Sequence, residues 1–155
     1  MGVARSIRIR VVTNYQTLSS FIQDFTNDFW TLKNPDGKFY SIAVDDNDDF
    51  NHLPFDNFEE VSRILDKREE LKRVNSLVLW DIDYFESNSF LVYPLDNNYE
   101  GYSKHYELSF VLGIGKRISG SDRYTDYSHY LNLMLPKLKQ IGSYVCEVEC
   151  QDFDS

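Results

Sequence analysis

Apolar spacing along this chain switches repeatedly between a period of two and a period of about 3.6, and the switches mark its elements. Ile7, Ile9 and Val11 alternate with Arg8 and Arg10, which predicts a half-buried strand. From Tyr15 to Trp30 the residues Leu18, Phe21, Ile22, Phe25 and Phe29 fall on one helical stripe, the face of a helix that packs on a sheet. Asn34-Pro35-Asp36-Gly37 reads as a turn into a strand from Lys38 to Val44, with Tyr40, Ile42 and Val44 facing one way. A second helix is expected from Phe58 to about Val74, started by Asp56 with Glu59 three residues on. Phe58, Val61, Ile64, Leu65 and Leu71 form its apolar side. Arg63, Lys67, Arg68, Lys72 and Arg73 lie opposite, among Asp66, Glu69 and Glu70, and the helix dipole accounts for them.

The longest apolar-rich run, Asn75 to Pro94, predicts a central hairpin with Val78, Trp80, Ile82 and Tyr84 beneath the helices. Leu77, Leu79, Asp81 and Asp83 are then on the opposite face. A strand from His105 to Ile114 follows. Helical spacing from Tyr124 to Ile141 crosses Pro136 and predicts one kinked helix or two short ones. A last strand, Tyr144 to Cys150, ends in a tail expected to fray. The resulting order, β-α-β-α-β-β-β-α-β, describes a single α+β domain over residues 1–155. Its sheet is mixed, mostly antiparallel, of about six strands, with helices on one face and a ferredoxin-like core as a candidate arrangement. Arg8 and Arg10 against Glu147 and Glu149 predict that the terminal strands are neighbours, solvated on that face.

Composition makes this a folded chain: of 155 residues, 42% are hydrophobic and 15% aromatic, far from a disordered composition. Twenty-five acidic against sixteen basic residues give a net charge of −9, which disfavours phosphate backbones and anionic membranes and favours a basic protein partner. No run is long and apolar enough for a membrane span, and two isolated cysteines suit a reducing compartment, so a cytoplasmic protein is expected. Cys146 and Cys150, four apart in one strand, would share a face too far apart to bridge.

Signals for chemistry are sparse. Asp81-x-Asp83 could hold Mg²⁺ or Mn²⁺ beside a phosphate, which makes a metal-dependent enzyme the first alternative. Asp45-x-Asn47-x-Asp49 follows calcium-loop spacing, but Phe50 stands where that loop needs glycine. Gly113-Ile114-Gly115-Lys116 resembles part of a phosphate cradle without its full spacing and reads as a strand end. His52, His105 and His129 have no ligand-spaced partner, so neither metal nor cofactor is expected.

What stands out is acid interleaved with tyrosine, which buries much area with few rotors to freeze. Two surfaces carry it, Asp81, Asp83, Tyr84 and Glu86, then Asp96, Tyr99, Glu100 and Tyr102, and the acidic loop with Asp45, Asp46, Asp48 and Asp49 adds a third contact surface. These features predict a small acidic binding protein rather than an enzyme, of the kind a bacterial immunity protein would be when neutralising a basic, nuclease-type toxin by protein contact. No direct nucleic-acid or membrane contact is expected. A structural or regulatory subunit with an aromatic oligomer interface is the second alternative.

Overall fold

The computed structural model describes residues 3–82 and 86–154. Its elements are β1 (Val3–Thr13), α1 (Leu18–Thr26), β2 (Trp30–Thr31), β3 (Phe39–Ser41), β4 (Leu53–Phe55), α2 (Phe58–Glu70) and β5 (Asn75–Asp81). There follow β6 (Ser87–Leu95), β7 (Lys104–Val111), β8 (Arg117–Ile118), β9 (Ser121–Thr125), α3 (Tyr127–Gln140) and β10 (Tyr144–Asp154). The strands run β10-β1-β7-β6-β5-β3-β4, and β2 adds to β5, so the main sheet has eight strands; β8 and β9 form a separate ribbon.

The class is α+β as the spacing predicts, but the sheet is not mixed: every strand pairing among the described residues is antiparallel. The additional strands β2, β4, β8 and β9 are two to five residues long, too short to show a period.

Alternation selects one face. Ile7, Ile9 and Val11 of β1, Leu108 and Phe110 of β7, and Phe90 and Val92 of β6 are buried with Phe21, Phe25, Leu65, Met134 and Leu138 of the helices in one cluster. Phe90 and Phe110, opposite each other in β6 and β7, stack with ring centroids 4.7 Å apart. Helix starts are set by short polar side chains: Thr17 caps α1, Asn57 caps α2 and Asp126 caps α3. The cap of α2 is thus one residue later than the Asp56 reading, and Asp56 instead pairs with Lys38. Asp66 leaves the solvated face assigned to it and accepts from Ser19 N–H and hydroxyl at 2.9 and 2.8 Å, joining α2 to the first turn of α1. Pro136 lies inside a single α3.

The terminal strands are neighbours. β1 pairs with β10 from Val3 opposite Asp154 to Val12 opposite Tyr144. Arg8 meets Glu149 at 2.9 Å and Arg10 meets Glu147 at 3.6 Å on the solvated face. The tail does not fray: residues 151–154 belong to β10 because the first half of β1 is there to pair with them. A bulge between Arg10 and Val11 leaves Cys146 as the extra residue. Alternation therefore breaks between the cysteines. Cys150 packs against the core, whereas Cys146 lies beside Tyr99, so they do not share a face.

The central hairpin is inverted relative to its sequence reading. Leu77, Leu79 and Asp81 are buried, while Val78 and Trp80 are half-buried and Ile82 is 43% exposed. Both faces of this strand are apolar enough to be the inside, so its neighbour decides: Leu77 lies opposite Phe90, which the core already claims.

Candidate functional site

Register gathers the loops at two ends of the sheet. Ser41 lies opposite Leu77, Asn75 opposite Val92, and Leu95 opposite His105. The segments 42–52, 71–74 and 96–103 therefore leave the sheet at one end, and the segment after Asp81 leaves at the other. Two of the three predicted acidic surfaces share the first end.

The first, Asp45 to Asp49, closes over a cation of its own chain. Arg68 of α2 is 0% exposed. Its guanidinium donates to the carbonyls of Val74 at 2.9 Å and of Ala43, Val44 and Asp46 at 3.0 Å each, and to the Asp48 carboxylate. Arg73 adds bonds to the Val44 and Asp46 carbonyls. This is the converging set of oxygens that a hard cation would take, filled by a guanidinium that matches it with five N–H donors. Asp48 and Phe50 adopt left-handed backbone, φ 65° and 58°, as the chain wraps around it. Of the predicted residues here, Asp46 is half-buried and accepts from Asp49 N–H at 2.8 Å, while Asp45, Asp48 and Asp49 are exposed.

The assignment of Arg68 to a solvated face is thus overturned. Its spacing carried the signal: Val61, Ile64, Leu65 and Arg68 form one stripe, and Leu71, expected on it, is the C-cap and is 51% exposed.

The next residue, Glu69, turns to the start of β7, just after the second acidic loop. Its side chain accepts from the hydroxyl of Tyr106, which is 1% exposed, and meets Lys104 at 3.5 Å. Burial first, and then the Glu69 carboxylate, hold the Tyr106 phenol far above its ordinary pKa, so it remains a proton donor. With Lys72, Asp96, Asn97 and His105 these residues line a cleft of 260 Å³. His105 Nδ1 bonds the Asp96 carbonyl at 2.9 Å.

Within the loop, Asn97 ties Tyr102 O to Tyr99 N–H, and Asn14 holds Gly101 O and Ser103 N–H from β1's end. Tyr99 meets the His105 ring edge-on at 5.4 Å, and Tyr102 stacks on Tyr144 at 6.4 Å. A hydrogen bond with Cys146 pushes the Tyr99 phenol up. Asp96, Tyr99 and Glu100 are exposed and Tyr102 is half-buried.

Of the remaining predicted surface the structure describes Asp81 and Glu86. Asp81 is 3% exposed, on the core side of β5, and its N–H bonds Glu86 O at 2.8 Å. Glu86 turns its carboxylate to Gly115 N–H at 3.1 Å, and Asn88 takes Gly113 N–H at 3.0 Å. The glycine N–H groups that resemble an anion cradle are thus engaged by this chain's own side chains. Asp83 and Tyr84 lie outside the described residues. Among the described residues no group of three or more His, Cys, Asp or Glu is placed to hold a metal ion, and no helix is long and apolar enough to cross a membrane. The chain matches no protein-family model, no curated protein and no solved structure.

Proposed function

We propose that this chain is an acidic binding protein that presents the loop end of its sheet to a basic protein partner, in the manner of an immunity protein covering a nuclease-type toxin. One observation carries the reading: two acidic loops, Asp45 to Asp49 and Asp96 to Tyr102, leave the sheet at the same end, the first anchored by Arg68 of α2 and the second by Asn97 and Asn14. Preformed loops lose little freedom on binding. Exposed Asp45, Asp48, Asp49, Asp96 and Glu100 attract a basic surface at long range, and Tyr99, 42% exposed, supplies contact area among them.

The test is calorimetric binding to purified basic, nuclease-type proteins taken from reading frames neighbouring this gene. Asp45→Lys with Asp49→Lys, and separately Asp96→Lys with Glu100→Lys, are expected to weaken affinity by about tenfold or more at unchanged thermal stability. Association should also slow as salt rises. Unchanged affinity in both double variants defeats the reading.

A further inference from the structure

The two margins of the main sheet are built differently. At one, β4 has three residues with Pro54 in the middle, and a proline offers no N–H to a further strand. At the other, β10 has eleven residues, no proline and no lysine, and pairs only with β1. From Gln151 onward it is covered: the Tyr127 hydroxyl bonds Gln151 O at 2.6 Å, and the Asp152 carboxylate takes Thr125 N–H at 2.8 Å. Between Val145 and Cys150 the backbone bonds only to β1 among the described residues, so from Glu147 onward, past the bulge at Cys146, alternate N–H and C=O groups face outward, the template that an added strand uses.

The side chains say which strand fits. Glu147 and Glu149 are 56% and 43% exposed on the solvated face, and Val148 is 37% exposed on the other. Each glutamate gives one oxygen to β1 and has a second to offer. On its inner side β10 is matched by Arg8-Ile9-Arg10, basic residues facing the two glutamates and an apolar residue between them. A second copy of β10 does not fit: antiparallel pairing centred on Val148 sets Glu147 against Glu149, and centring on Glu147 sets that residue against itself. The acidic loop adjoins this margin, since Tyr102 stacks on Tyr144 and Tyr99 meets Cys146.

We propose that the outer edge of β10, Val145 to Cys150, receives an extended segment of the basic partner as a further strand, with Arg or Lys at alternating positions facing Glu147 and Glu149 and an apolar residue between them over Val148. This rests on the acidic-end reading for the kind of partner and on the open edge for the mode of binding.

The probe is an acetylated, amidated heptapeptide of alternating arginine and valine, compared with the same peptide N-methylated at alternate amides. The full chain should bind the first, with slowed hydrogen exchange at amides between Val145 and Cys150. N-methylation on the pairing side should cost about tenfold or more in affinity, and so should Glu147→Gln with Glu149→Gln, a pair that keeps the fold without placing like charges beside Arg8 and Arg10. No binding, equal binding of the N-methylated peptide, or no protection on β10 overturns the inference. The toxin titrations with loop variants read out separately: a loss there with no protection on β10 removes the strand and leaves the acidic end, and the converse removes the acidic end.

Discussion

Replacing Arg68 by methionine keeps the length and apolar stem of the side chain and removes every donor. Four carbonyls and one carboxylate then lose a partner. Arg73 still reaches the Val44 and Asp46 carbonyls, and the Asp46 N–H still reaches Ala43 O, so Val74 O bears the loss. An acceptor left unpaired in the interior costs roughly 1–3 kcal/mol, which gives about 2 kcal/mol here. Asp48 adds little, because its side chain is 43% exposed and water takes over its charge. For a chain of this length the expected loss lowers the thermal midpoint by roughly 4–8 °C. Urea unfolding followed by tryptophan fluorescence measures it, with Arg63→Met, at a side chain 71% exposed, as the control expected within about 0.5 kcal/mol. Arg68→Lys should fall between the two, since an ammonium keeps the charge but has three donors. A loss below about 1 kcal/mol for Arg68→Met would refute the view that this guanidinium holds the acidic loop.

The inverted hairpin predicts that Leu79→Ala costs about 2–5 kcal/mol and Val78→Ala less than about 1; similar losses, or the reverse order, by urea titration contradict the assignment of faces. A Cβ at Gly113 would stand 2.7 Å from the Ser87 carbonyl oxygen, so Gly113→Ala should destabilise by roughly 1–3 kcal/mol, and a neutral result in the same assay rejects that contact. Burial alone would push Asp152 up, but bonds from the Thr125 N–H, the Tyr127 hydroxyl and the Thr125 hydroxyl outweigh it and hold its pKa below the ordinary 3.8. A depressed carboxyl stabilises the fold above the unfolded pKa and stops doing so as pH falls through the folded one. The stability difference between the wild type and Asp152→Asn should therefore be constant above about pH 5 and shrink below 3.8, and a difference that grows toward acid contradicts it.

Legibility in the sequence followed the length of each pattern. The helices, the long strands and the pairing of the terminal strands through Arg8, Arg10, Glu147 and Glu149 could be read, because each rests on several residues in phase. The short strands could not, since two or three residues carry no period. The hairpin faces were ambiguous because Val78 and Trp80 are as apolar as Leu77 and Leu79, and a partner in the next strand decides between them. At the candidate site the exposure of Asp45, Asp49, Asp96, Tyr99 and Glu100 was legible from polarity alone. The burial of Asp81 and Arg68 was not, because polarity argues against it; for Arg68 only its phase with Val61, Ile64 and Leu65 argued for it.

Arg68 and Glu69 point about 100° apart around α2, one toward the segment after β3 and the other toward β7. Removing or adding one residue anywhere between Asn57 and Arg68 would rotate both side chains off their targets together. The helix would still find an apolar stripe to bury, but the Asp45 to Asp49 loop would lose its guanidinium, and Tyr106 and Lys104 of β7 their carboxylate, at once. The residue count of α2 is therefore a setting for the first acidic loop and the start of β7 together.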